Sequence, residues 1–200
     1  MDAFNLLKAD HRKVEELFSQ LESASGQAKM RVFEQIKMEL ELHTHIEEKI
    51  FYPALEKPKQ THELTLEAYE EHDVVKKLLQ QMSKAKSATE EWEAQATVLQ
   101  ENVEHHVEEE ENELFPKAEA ALSEEQIEAL GEQMEAEKER KQRGASKSSS
   151  KKSANKSASK SKSASTAPKR ARASKKSASK SSSKSSGSKR SKKSAKKSRR

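Results

Sequence analysis

Two segments of the chain pair a histidine with a glutamate four residues later and end in a proline. The first runs from His43 to Pro53 as H-T-H-I-E-E-K-I-F-Y-P, and the second from His106 to Pro116 as H-V-E-E-E-E-N-E-L-F-P. Residues four apart lie on one face of an α-helix, so each segment can present an imidazole and a carboxylate together. Such nitrogen and oxygen donors suit iron, manganese or zinc.

A further histidine precedes each segment in a similar context, in D-H-R-K-V for His11 and in E-H-D-V-V for His72. The offset between the copies is nearly constant, because it is 61 residues from His11 to His72 and 63 from His43 to His106. Two such halves, facing one another around a pseudo-twofold axis, would form a cage for two metal ions. The predicted ligands are His11, His43, Glu47, His72, His106 and Glu110.

A single histidine on an apolar helix stripe is more often a packed core residue than a ligand. Four central histidines in a repeated pattern, two of them followed by glutamate, favour metal binding instead. The neighbouring acids are predicted to form a solvated face, although Glu48 and Glu111 repeat as a second acid beside each ligand. Three histidines outside the repeat are predicted at the surface or around the ligands: His45, His62 and His105.

Four long helices are needed to position these ligands. Apolar residues recur at helical spacing over about residues 3–23, 27–55, 61–84 and 89–122. Short connections favour antiparallel neighbours, so the predicted fold is all-α, an up-down-up-down four-helix bundle.

Local signals set the ends of these helices. Asp2 can cap the first helix, and Ser25-Gly26 interrupts the chain after it. A capping box from Ser123 to Gln126 predicts a shorter, charged fifth helix. Pro116 is expected to kink or end the fourth helix.

Composition divides the chain into an acidic body and a basic tail. Residues 144–200 hold 21 Lys and Arg and no Asp or Glu, whereas residues 1–143 hold 18 basic and 34 acidic residues, a net charge of −16. The predicted organisation is a metal-binding bundle over 1–122, a charged helical extension over 123–143 and a Lys/Ser/Ala-rich tail from 144. The tail lacks aromatic and branched aliphatic residues, so we expect it to be disordered.

A polycationic tail predicts salt-sensitive, sequence-independent binding to nucleic acid through its phosphates. Its composition is similar to the C-terminal tail of linker histones. We expect DNA as the partner, with RNA, an anionic membrane surface or a solubilising role as alternatives. The candidate contacts are Lys151, Lys152, Lys169, Arg170, Arg172, Lys175, Lys176, Lys189, Arg190, Lys192, Lys193, Lys196, Lys197, Arg199 and Arg200.

Several classes of protein are excluded by what the sequence lacks. The chain has no cysteine, so a metal site must use nitrogen and oxygen donors. Glycine-rich phosphate loops and nucleophile motifs are also missing. We expect neither a secretory signal nor a membrane span, and we predict a cytoplasmic protein associated with the nucleoid or with chromatin.

The H…H-x-x-x-E…H…H-x-x-x-E arrangement over roughly residues 1–120 resembles the hemerythrin-type HHE cation-binding domain. That resemblance implies a non-haem di-iron centre, with Mn or Zn as alternatives, in which Glu47 and Glu110 bridge two Fe ions. Oxygen-carrying members have a further histidine at the position of Lys76 and an aspartate five residues after the last histidine. These differences favour a reactive or redox-sensing centre, or plain iron binding, over stable oxygen carriage.

We therefore expect a di-iron protein that handles or senses oxygen, redox state or iron and is tethered to DNA by its tail. Its small ligand would be O2, another diatomic molecule or peroxide. Two alternatives are an architectural DNA-binding protein with a structural helical domain and a peroxide-consuming di-iron oxidoreductase. Binding is favoured over catalysis, and no catalytic residue is predicted.

Overall fold

Long helices form the bundle, as the apolar periodicity predicts. The computed structural model describes the backbone of residues 1–158 and the side chains of residues 1–144. The elements are α1 (Ala3–Ser23), α2 (Gly26–Ile46), a π-helical turn (Glu47–Phe51), α3 (Tyr52–Leu55), α4 (His62–Met82), α5 (Glu90–Glu109), a second π-helical turn (Glu110–Leu114), α6 (Phe115–Ala121) and α7 (Glu124–Ala158). The described residues contain no strand, and the predicted all-α bundle is confirmed.

Side-chain caps begin the helices where the sequence predicts them. A carboxylate oxygen of Asp2 accepts a 2.8 Å hydrogen bond from the backbone N–H of Asn5. Ser123 and Gln126 form the predicted capping box, since each backbone N–H donates to the other's side-chain oxygen at 2.9 and 3.3 Å. Gly26 has φ +55°, a left-handed conformation that costs glycine little and reverses the chain between α1 and α2.

Each proline of the repeated pattern follows a π-helical turn and lies in the first turn of the next helix. The Tyr52 N–H donates to the carbonyl of Glu47, and the Phe115 N–H donates to the carbonyl of Glu110, each five residues back. The wider turn accommodates a proline ring that would otherwise clash with the preceding turn. Pro116 therefore does not end the helical path, because α6 continues to Ala121, although the fourth predicted helix is interrupted by a π-helical turn immediately before it.

Two apolar clusters fill the interior, one toward each end of the bundle. The first gathers aromatic and aliphatic side chains from α1, α3, α6, α7 and the two π-helical turns: Leu7, Phe51, Tyr52, Leu55, Leu114, Phe115 and Met134. The second lies at the opposite end, among α1, α2, α4 and α5: Val14, Phe18, Phe33, Ile36, Leu79, Trp92 and Leu99. The predicted ligands belong to neither cluster, so a polar layer lies between two apolar ones.

Helix α7 covers α1 and the π-helical turn at Glu47. Gly131 makes this packing possible, because a Cβ at that position would overlap the backbone of Met1, Asp2 and Ala3. Met134 is fully buried one turn later. The helix continues to Ala158, past the boundary that the sequence predicts at residue 143.

The predicted DNA contacts fall outside the described residues or side chains. For Lys151 and Lys152 only the helical backbone is described. The others lie beyond residue 158: Lys169, Arg170, Arg172, Lys175, Lys176, Lys189, Arg190, Lys192, Lys193, Lys196, Lys197, Arg199 and Arg200. None of the helices in the described part of the chain has the length and apolar character needed to cross a membrane.

Candidate metal centre

The fold brings all six predicted ligands together in the polar layer. Each is buried: His11 on α1, His43 on α2, Glu47 and Glu110 at the first residue of the two π-helical turns, His72 on α4 and His106 on α5. Their donor atoms form two groups, in each of which all atoms lie within 4.8 Å of one another. One group is His11, His43, Glu47 and Glu110, and the other is Glu47, His72 and His106.

Each central glutamate contacts one histidine from each half of the repeat. Oε2 of Glu47 lies 3.1 Å from Nε2 of His43 and 3.3 Å from Nε2 of His72. Oε2 of Glu110 lies 3.4 Å from Nε2 of His11 and 3.7 Å from Nε2 of His106. The two sets are related by the pseudo-twofold axis, and a carboxylate so placed can bridge two cations.

The outward-facing nitrogens of the histidines meet a second set of carboxylates. Nδ1 lies 2.8 Å from Glu111 for His11, 3.0 Å from Glu48 for His72 and 2.7 Å from Glu71 for His106. A carboxylate that accepts the Nδ1 proton orients the ring so that Nε2 is directed inward and is the nitrogen available to a metal. The prediction that Glu48 and Glu111 belong to a solvated face is therefore wrong.

Several inward-facing atoms are buried without a hydrogen-bond partner. They include Nε2 of His11, both carboxylate oxygens of Glu47 and Oε2 of Glu110. Burying such groups without a partner is costly, and each one in a native structure requires an explanation. A cation would satisfy all of these atoms at once, so the donor set fits a metal site.

The protein environment separates the proton affinities of the two glutamates. Burial, reinforced by the charge of Glu110, raises the pKa of Glu47 well above its usual value. Burial also raises the pKa of Glu110, but His106 and His11 outweigh it and the net shift is downward. Burial lowers the pKa of His43 to about 4, so this imidazole is neutral at physiological pH. Neutral imidazole is the metal-binding form.

Tyr52 belongs to the centre, although the sequence pattern does not reveal it. Its hydroxyl donates a 2.9 Å hydrogen bond to Oε1 of Glu110 and lies 3.2 Å from Nε2 of His72. The equivalent residue in the second half is Phe115, which has no hydroxyl. The only sequence signal is that one copy of the repeat has tyrosine where the other has phenylalanine. An aromatic residue before proline otherwise suggests core packing.

The remaining histidines and Lys76 lie outside the cage. Lys76 pairs with Glu48, the carboxylate that holds His72, and so supports the centre from outside. His45 contacts Glu137 on α7 at 2.7 Å, and Nδ1 of His62 lies 2.9 Å from a backbone carbonyl. His105 is 63% exposed, beside Glu109 and Glu71.

A cavity of about 20 Å³ adjoins the four histidines on the side of the second apolar cluster. This volume is enough for one water-sized molecule. Its other walls are mainly aliphatic and follow the same repeat: Val14 and Val75, Leu40 and Val103, Thr44 and Val107.

Comparisons with known proteins agree with this geometry. Residues 2–118 match the hemerythrin HHE cation binding domain. The crystal structure of a hemerythrin HHE cation binding domain-containing protein from Mycobacterium kansasii superposes with a TM-score of 0.61 and 25% identity, covering 70% of this chain and 86% of that one.

A curated relative from Nostoc sp. strain PCC 7120, named DNA nickase, is 30% identical over 139 residues. The match covers 69% of this chain but only 39% of the relative. The domain match includes all six predicted ligands and more than half of the sequence. The chain therefore belongs to the hemerythrin HHE cation-binding domain family.

Proposed function

We propose that this protein binds two iron ions at the buried centre and uses them to handle or sense oxygen, peroxide or iron. The six ligands are those predicted from the sequence. One observation carries the proposal: each central glutamate contacts a histidine of both halves through an oxygen that has no hydrogen-bond partner. A pair of cations would account for this arrangement, because each could bind these carboxylate oxygens together with the imidazole nitrogens that face them.

The chain's own residues prepare the centre for this role. Glu47 and Glu110 lie between the two groups of donors, so each can hold both ions. Glu48, Glu71 and Glu111 fix the protons of three histidines on their outer nitrogens. Iron at this position would supply redox chemistry toward O2 or peroxide.

Tyr52 holds a proton beside the ions. Burial and the charges of Glu110 and Glu47 raise the pKa of Tyr52 well above its usual value, so the phenol stays protonated and keeps donating to Glu110. The aliphatic cavity beside the histidines suits a small apolar ligand such as O2. The two apolar clusters exclude bulk water from both ends of the centre.

Elemental analysis of the purified full-length protein, with optical spectra recorded reduced and after air exposure, tests the proposal. We expect two irons per chain and an absorption that appears in air and disappears on reduction. His106→Ala should abolish iron binding, whereas His105→Ala, the exposed neighbour, should retain it. Absence of stoichiometric metal together with normal folding of His43→Ala and His106→Ala would favour the architectural alternative. Catalytic consumption of peroxide by the iron-loaded protein would favour the oxidoreductase.

We also propose that the basic tail binds DNA without sequence preference. Its 21 positive charges with no acidic residue support this role. Removing one lysine or arginine that neutralises a phosphate should reduce the slope of log affinity against log salt by about 0.9. Replacing Lys189, Arg190, Lys192 and Lys193 by glutamine in the full chain should therefore flatten the slope by about 3 to 4. An unchanged slope would contradict binding through these residues.

Similarity to a protein named DNA nickase favours a second candidate function, the cutting of one DNA strand. The match covers less than half of that relative, so the activity of the whole relative is a hypothesis for this chain. Incubating supercoiled plasmid with iron-loaded protein tests it. Conversion to the open circle by the wild type but not by His106→Ala is expected if this centre supports nicking, and intact plasmid in both reactions would reject it.

A further inference from the structure

Helix α7 reaches the surroundings of the metal centre through one side chain. Nζ of Lys138 lies 2.5 and 2.7 Å from the two carboxylate oxygens of Asp10, the residue immediately before the ligand His11. Both side chains are largely buried. The helix begins at Glu124, beyond the 2–118 segment that matches the family. The contact is therefore supplied by a part of the chain outside the segment that matches the domain.

Asp10 is the carboxylate that faces the outer nitrogen of His43. Three of the four histidines have a carboxylate 2.7 to 3.0 Å from Nδ1, but Asp10 lies 3.7 Å from Nδ1 of His43. That nitrogen is buried without a hydrogen-bond partner. The equivalent of Asp10 at the 61-residue offset is Glu71, which lies 2.7 Å from His106 and has no lysine partner among the described residues.

We propose that Lys138 is a positioning residue that withholds Asp10 from His43 and thereby couples metal binding to the docking of α7. The inference rests on the metal-binding function proposed above. A carboxylate that accepts the outer N–H of a ligating histidine orients the ring and strengthens it as a ligand. With both Asp10 oxygens bound to Lys138, His43 is the one ligand without this support.

Metal binding and the Lys138 contact then compete for the same carboxylate. An ion that binds Nε2 of His43 favours a proton on Nδ1, which draws Asp10 inward and away from Lys138. Coupling between two sites is reciprocal, so a firmly docked α7 weakens metal binding and metal binding loosens α7. Helix α7 leads into the basic tail. Metal binding at the centre would thus change how firmly the helix that precedes the tail is docked.

Three full-length variants test the proposal by anaerobic titration of Fe²⁺ against a chromophoric chelator. Lys138→Met keeps the length of the side chain but releases Asp10, and it should tighten Fe²⁺ binding by about tenfold. Lys138→Arg should retain the wild-type affinity, as should Lys141→Met, the same change at an exposed position of α7. Unchanged or weaker binding in Lys138→Met would overturn the inference. The 3.7 Å distance from Asp10 to Nδ1 of His43 would then be a consequence of the short aspartate side chain and not of Lys138.

Hydrogen exchange of the wild-type chain supplies a measurement that does not depend on a variant. Amides of α7 around Lys138 should exchange faster after Fe²⁺ loading, and Lys138→Met should lose this difference. Equal exchange before and after loading would overturn the coupling even if Lys138→Met failed to fold. A wild-type protein that binds no Fe²⁺ would reject the proposed function as well, whereas normal binding without these changes would reject only the coupling.

Discussion

The hydroxyl of Tyr52 donates a 2.9 Å hydrogen bond to Oε1 of Glu110, and it links the two halves of the repeat through the centre. Phe115 occupies the equivalent position in the other half, so the pseudo-twofold symmetry is broken at this point. The two groups of donor atoms therefore have different surroundings, although the six predicted ligands are related by the repeat.

Replacing Tyr52 by phenylalanine should destabilise the metal-free protein. The change leaves a buried carboxylate oxygen without its donor, and hydrogen bonds to charged groups contribute about 1.5–3 kcal/mol. Chemical denaturation should show a loss of that size in the free energy of unfolding. Tyr69→Phe is the matched control, because its hydroxyl donates to Glu56 in an exposed position and its removal should cost far less.

Metal affinity should fall as pH decreases through neutrality. Burial lowers the pKa of His11 and of His106, but the charge of Glu110 and the neighbouring carboxylates outweigh it and raise both values above 6.5. The metal-free centre thus holds protons that binding must release. Below the pKa of each such group, affinity should fall about tenfold per pH unit and per proton.

Titrations of Fe²⁺ in anaerobic buffers between about pH 5.5 and 8 would measure this dependence. Calorimetry in buffers of different ionisation enthalpy would count the protons released. An affinity that is constant over this range would show that the histidines are not the ligands.

Removing the metal should lower the melting temperature. A ligand present at 100 times its Kd stabilises the folded state by about 2.7 kcal/mol, which for a domain of this size corresponds to about 5–10 °C. Thermal unfolding of the iron-loaded protein with and without a chelator would measure the difference. His43→Ala should be insensitive to the chelator, and an equally large shift in that variant would point to binding elsewhere.

Gly131→Ala should undock α7. Alanine is the better helix former by about 1 kcal/mol, but the new Cβ would overlap the backbone at the start of α1. Overpacking of this kind typically costs about 1–3 kcal/mol, so the net effect should be destabilising. Gly144→Ala, on the same helix with nothing near the added Cβ, should be neutral or stabilising in the same denaturation experiment. Equal effects of the two substitutions would argue against close packing at Gly131.

Much of the fold could be predicted because local patterns determine it. Apolar periodicity defines the long helices, and Asp2 and the Ser123–Gln126 capping box begin two of them as predicted. The repeat is sufficient to select His106 over the adjacent His105, and the structure buries the former and exposes the latter. The role of the six residues as ligands is still a prediction that metal analysis must test.

The rest of the site depends on contacts that no local pattern encodes. Glu48 and Glu111 lie in acidic runs that resemble a solvent-facing surface, and only the position of the opposite half places them against His72 and His11. Lys138 is 128 residues from Asp10 in the chain. The helix continues past Pro116 because a π-helical turn precedes it, and the sequence has no signal that distinguishes such a turn from a helix end.

Each π-helical turn also changes the side of the helix toward which the residues after it point. One residue corresponds to about 100° of rotation around an α-helix. The extra residue in the turn that begins at Glu47 therefore lets His43 and Glu47 face the candidate centre while Tyr52 and Leu55, just downstream, are still buried. Deleting a single residue between Glu48 and Tyr52 would leave His43 and Glu47 facing the candidate centre. It would turn the side chain of Tyr52 away from the centre and toward solvent.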